Sequence, residues 1–145
     1  MSELYEKSLL KLELDRVLEQ LAERAGSELG KIACRNLRPT SDLEDVQALL
    51  DQTTAACDLS TKKGYPHFYE AQDVSFSLER ADRGGALNPK ELLRIAGVLR
   101  CARTVKSYTA EDEAATVLDG MFMSLTPNKY LEDKIFGAIL SEEEI

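Results

Sequence analysis

One histidine, three cysteines and no tryptophan in 145 residues leave little from which a metal centre or a disulfide framework could be built. Zinc sites need clustered Cys and His ligands. Cys34, Cys57 and Cys101 are instead odd in number and widely spaced, with no CxxC pair. Each falls on an apolar face of a predicted helix, so the expectation is three buried free thiols in a reducing compartment. His67 stands alone in a stretch rich in aromatics and is read as a surface or partly packed side chain, with no second histidine to form a site. No apolar run approaches the roughly 18 residues that span a bilayer, so no spanning helix and no membrane partner is expected. The N-terminus "MSELYEKSLLKLELDR" has acidic residues inside its apolar part and no small-residue cleavage site, so it is not a secretory signal and the chain reads as cytoplasmic. Strand-type alternation and internal repeats are also missing.

What remains is a chain rich in Leu, Ala and charge that is suited to helices. The length admits one packed domain and not two ordinary ones. The expected fold is all-α: a single domain over residues 1–145 with bundle-like packing of about six helices. Leu14, Val17, Leu18, Leu21, Ala22 and Ala25 recur on one helix face. Gly26 interrupts that helix, and Ser27 caps a second with Leu29, Ile32, Ala33 and Leu37 inward, stopping before Pro39. Ser41 and Glu44 have the spacing of a capping box for a third helix, with Leu43, Val46, Leu50, Thr53 and Cys57 inward and Lys62, Lys63 and Gly64 at its end. Residues 65–73, "YPHFYEAQD", predict a loop pinned to the bundle by its aromatics, with a short helical turn over 74–81.

The best-marked start is "GGALNPKE". Gly84 and Gly85 supply a turn, Asn88 the cap, Pro89 the first helical position, Glu91 the return bond of a capping box, and Leu87 with Leu92 a hydrophobic staple. Leu92, Ile95, Ala96, Leu99 and Ala102 form its inward stripe. Glu111, Asp112 and Glu113 are expected to open the next helix, with Ala114, Val117, Leu118, Met121 and Phe122 inward. Thr126 and Pro127 are expected to start the last, with Leu131, Ile135, Ala138 and Ile139 inward. The closing "SEEEI", without Gly or Pro to stop a helix, reads like a cut from something longer.

Chemistry is sparse. "GSELGK" at 26–31 has three residues between its glycines and Ile32 after its lysine, where a phosphate loop needs four and a Ser or Thr. Gly30 is read instead as a point of close helix approach. The carboxylates fall on solvent faces or at helix N-termini, and no two share an apolar face as an acid–base pair would. The expectation is therefore no catalytic, cofactor-binding or metal-binding residue. The one contrast is Lys90, Arg94, Arg100, Arg103 and Lys106 on a single helix of a chain whose formal net charge is −8. They are the candidate contact residues for nucleic acid or an acidic partner. They also go round the helix instead of lining one stripe, which suits cations paired with carboxylates of neighbouring helices.

Four blocks in order, "LLKLELDRVLEQLAERAGSELGK", "NLRPTSDLEDVQALLDQTTAA", "LERADRGGALNPKELLRIAGVLRCAR" and "YLEDKIFGAILSEEEI", resemble the N-terminus of the second branch of the bacterial MutS-related family. Leu14 departs from the aromatic often found there but keeps the face apolar. The resemblance implies an N-terminal fragment of a longer protein: helical core, then lever helices and clamp, an ABC-type ATPase domain through which the protein forms a homodimer, and often an Smr endonuclease domain. It implies a non-catalytic core segment of an ATPase associated with DNA, in suppressing recombination, and with the ribosome, in splitting collided ribosomes. ATP and magnesium are expected in the parent, outside these residues. The alternative is a self-contained acidic helical adaptor that binds a partner protein through an apolar groove.

Overall fold

Every bounded element in the described residues is a helix. The computed structural model describes residues 7, 11–108 and 115–139, and among them lie α1 (Leu14–Arg24), α2 (Glu28–Arg35), α3 (Leu43–Lys63), α4 (Ser75–Asp82), α5 (Pro89–Tyr108), α6 (Asp119–Ser124) and α7 (Lys129–Ala138). The all-α expectation holds. The expected helix start at Glu111 to Glu113 lies outside the described residues. The chain divides into two compact units, Met1–Pro39 and Thr40–Ile145.

The first unit is a hairpin of α1 and α2. Ser27 caps α2 as expected, its hydroxyl accepting the Gly30 N–H at 3.0 Å. A Cβ at Gly30 would sit 3.1 Å from that same hydroxyl, so the glycine leaves room for the cap and not for a crossing helix. Arg35 donates twice to Glu19 across the hairpin, at 2.8 and 2.7 Å. Ala22 is fully buried, whereas Val17, Leu21, Leu29, Ile32 and Leu37 of the expected inward faces are exposed. Two short helices have too little facing surface to cover both stripes.

In the second unit, α5 and α7 pack through Ile95, Ala96, Ile135 and Ile139, with Val74, Leu87, Leu92, Leu93, Leu99 and Phe136 against them. The cap of α5 is as the sequence predicts. Asn88 N–H donates to Glu91 Oε2 and Glu91 N–H to Asn88 Oδ1, both at 2.9 Å, and Leu87 and Leu92 meet in the same core. Gly84 adopts φ +82°, and a Cβ at Gly85 would fall 2.7 Å from Arg80 Cγ, so this turn needs both glycines. Ser77 Oγ and Arg80 Nη2 of α4 donate to Glu91, extending the capping box into a clamp.

Other expectations are corrected. Asp42, not Ser41, caps α3, accepting from the N–H groups of Glu44 and Asp45 at 3.0 and 3.1 Å. Asn128, not Thr126, caps α7, accepting from Leu131 N–H at 3.0 Å. The inward face of α3 is open: Leu43 and Leu50 are exposed and its buried residue is Leu59, near the C-terminal end. Of the thiols only Cys101 is buried; Cys34 is half-buried and Cys57 exposed. In α6, α7 and the residues that flank them, Leu118, Ile135 and Ile139 are buried as expected, while Val117, Met121, Leu131 and Ala138 are exposed.

Candidate interaction surface around the basic helix

The five cations of α5 have different surroundings. Lys90 and Arg94 are exposed in its first two turns, about 40° apart at 100° per residue. The Arg94 side chain makes no ion pair or hydrogen bond among the described residues. Arg100, Arg103 and Lys106 lie round the other side and are half-buried.

Arg100 holds the 65–73 loop. Its Nε donates to Glu70 Oε2 at 2.8 Å and its Nη2 to the other oxygen, while the guanidinium stands 4.5 Å from the Phe136 ring centroid of α7. The Cys101 thiol donates to the His67 carbonyl at 3.5 Å. Gly97 sits beneath, where a Cβ would stand 3.6 Å from Glu70 Cβ, in ordinary contact. The loop is thus anchored by a carboxylate and a carbonyl, and the aromatics predicted to pin it, Tyr65, Phe68 and Tyr69, are exposed. His67 is exposed too, edge-on to Tyr69.

Arg103 holds α7. Its Nε and Nη2 donate to the two oxygens of Glu132 at 2.9 and 2.8 Å. Glu132 is only 3% exposed, so this carboxylate sits inside the α5–α7 contact and not on a solvent face as expected. The Arg103 hydrogen bonds hold its carboxyl below the ordinary value of 4.5 against the opposing effect of burial. The same bonds, formed with Glu70 and Glu132, raise the arginine pKa values. Lys106 Nζ donates to the Leu125 carbonyl at 2.7 Å, fixing the chain that leads from α6 to α7. At the end of α5, the Tyr108 hydroxyl donates to the Gly64 carbonyl at 2.6 Å and bonds the Leu59 carbonyl at 3.1 Å, and Lys63 Nζ donates to the Tyr108 carbonyl.

The polar groups therefore fasten helices together. Among the described residues no three His, Cys, Asp or Glu side chains gather as metal ligands. Burial raises the Cys101 pKa, the opposite of what activates a thiol nucleophile. In the "GSELGK" stretch, Lys31 belongs to α2 and pairs with Glu28 at 2.7 Å. Glu70, Glu132 and Phe136 are the residues that sequence reasoning missed. They sit about thirty positions from their arginines, and no local pattern marks them. No helix of the described residues is long and apolar enough to cross a membrane.

No family model matches the chain. It is similar to proteins named Endonuclease MutS2 from Ruminiclostridium cellulolyticum (39% identical over 143 residues), Acetivibrio thermocellus (37% over 144) and Clostridium acetobutylicum (34% over 143). Each match covers 97% of this chain and 18% of the relative. The chain spans less than a fifth of the length of the curated relatives it matches.

Proposed function

We propose that this chain, which is a fragment of a MutS2-type protein, serves its parent as a non-catalytic helical core segment. The observation that carries this reading is the use of α5 as a strut: Arg100, Arg103, Lys106 and Tyr108 each fasten a different neighbouring segment to one capped helix. Such a rod passes displacement along without deforming, because packed interiors resist compression.

The parent, on this reading, is a cytoplasmic ATPase that acts on DNA or on ribosomes. It dimerises through an ATPase domain that also binds ATP and magnesium, and cuts through an Smr endonuclease domain; both lie outside these residues. Lys90 and Arg94 are the exposed cations of α5, and Arg94 is the candidate phosphate contact, whereas Arg100, Arg103 and Lys106 lie round the other side and are engaged in holding neighbouring segments. The adaptor reading draws on the exposed apolar faces. The match to a limited stretch of much longer relatives favours the scaffold.

The scaffold predicts that the isolated chain neither hydrolyses ATP nor cuts DNA. In the full-length protein, Arg103→Ala should leave basal ATP hydrolysis intact and weaken its stimulation by DNA or ribosomes. Hydrolysis by the isolated chain, or full stimulation in Arg103→Ala, sinks the proposal. Arg94→Glu should lower binding of DNA or ribosomes at low salt, and unchanged binding removes the phosphate contact.

A further inference from the structure

Residues 64–73, between α3 and α4, run back along α5 and are tied to it by polar groups in register. The Gly64 carbonyl accepts from the Tyr108 hydroxyl at 2.6 Å, the His67 carbonyl from the Cys101 thiol at 3.5 Å, and the Glu70 carboxylate from both Arg100 donors. No residue of the segment is buried: Pro66, Glu70 and Ala71 are half-buried, and Tyr65, Phe68 and Tyr69 face water. What lies beneath is closed. Gly97 and Cys101, one turn apart on α5, are buried, and the atoms nearest to a Cβ placed on Gly97 belong to Glu70. The α5–α7 contact is held separately, by Ile95, Ala96, Ile135 and Ile139 and by Arg103 with Glu132, none of them drawn from residues 64–73. Lifting the segment therefore breaks hydrogen bonds and one part-exposed ion pair, and opens little apolar surface. Segments of that kind open at lower free energy than the packed helices beside them.

We infer that residues 64–73 are a strap that opens as a unit while α5 and α7 stay packed, with the Arg100–Glu70 pair as its latch. In the open state the Gly97–Cys101 face of α5 meets solvent. Arg100 is released from Glu70 but keeps the Phe136 ring 4.5 Å away, so it becomes a cation of α5 that is free only when the strap is lifted.

Cys101 reports the opening, because a thiol must be uncovered before it can be alkylated. Its labelling by iodoacetamide is followed in the 145-residue chain carrying Cys34→Ser and Cys57→Ser, at urea concentrations below the unfolding transition. The expected rate is far below that of the urea-unfolded chain and nearly independent of urea until the transition begins, since opening the strap exposes little surface. A rate that climbs in step with global unfolding from the lowest urea overturns the inference, as does wild-type labelling as fast as in the unfolded chain. Two substitutions separate the strap from the core. Glu70→Gln weakens the closed state alone and should speed labelling by about tenfold. Arg103→Ala weakens the α5–α7 contact equally whether the strap is closed or open, and should leave the rate within about twofold although it lowers global stability. Unchanged labelling in Glu70→Gln, or a rise in Arg103→Ala as large as that in Glu70→Gln, overturns the inference. The urea series on the wild-type side chains decides the matter alone should either variant fail to fold.

Discussion

Arg103 and Glu132 place a charge pair inside the α5–α7 contact, with Glu132 enclosed and Arg103 about one third exposed. Removing the exposed partner is the costlier change, because it leaves a buried carboxylate without donors. Arg103→Ala should lower the unfolding free energy by about 2 kcal/mol in urea denaturation, less than the loss of a fully enclosed pair because water screens the arginine. Arg94→Ala, with no partner to lose, should stay within about 0.5 kcal/mol of wild type. The Glu132 carboxyl is held below 4.5 in the fold. Its contribution is therefore complete above that value and fades as acid takes the pH down through the lower folded-state pKa. The stability gap between wild type and Glu132→Gln should narrow as pH falls below 4.5; a constant gap would show that the carboxylate charge is not its source. The arginines are plain in the sequence, but their partners are not. A carboxylate 29 positions away is brought to Arg103 by helix packing, and packing is what a linear pattern omits.

Helix ends were the most legible elements because a cap is a local bargain between a side chain and backbone N–H groups within three residues. Ser27, Asn88 and Gly64 act as their patterns predict. Where two capping residues stand together, the pattern alone picked the wrong one. In "NPKE" the asparagine precedes the proline and in "TPNK" it follows, yet in both the Asn side chain takes the cap and the helix begins one residue later. In "TSDLE" the carboxylate of Asp42 displaces the hydroxyl of Ser41, because it accepts two N–H bonds at once and adds a negative charge at the positive pole. Asp42→Ala should cost the first turn about 1 kcal/mol, read as roughly fivefold faster amide exchange at Glu44 and Asp45, while Ser41→Ala should leave both amides unchanged. Similar effects from the two substitutions would return the cap to Ser41. Periodicity showed which faces are apolar without showing which are covered. The stripes of α1, α2 and α3 are where the pattern predicts, and most of their large residues face water.

At the scale of the molecule, the two compact units differ in how much core each contains. Thr40–Ile145 holds the buried cluster of Ile95, Ala96, Ile135 and Ile139, and the Glu91 clamp, the Arg100–Glu70 pair and the Arg103–Glu132 pair close within it. Met1–Pro39 buries Ala22 among its described residues and is tied by the Arg35–Glu19 pair, which is exposed. Chains below about 40 residues seldom fold alone without a disulfide, a metal or a partner. The segment Thr40–Ile145 expressed by itself should therefore melt in a cooperative transition followed by far-UV circular dichroism, and Met1–Pro39 by itself should lose helicity gradually with no transition. A cooperative melt of the short segment would mean that its open apolar stripes find each other in a second copy, which sedimentation would reveal as a dimer. Loss of the transition in Thr40–Ile145 would mean that the α5 strut and its fastenings are not sufficient to hold the second unit. The idea of α5 as the organising helix of the parent would then fail with it, since a rod that cannot hold its immediate neighbours cannot carry motion past them.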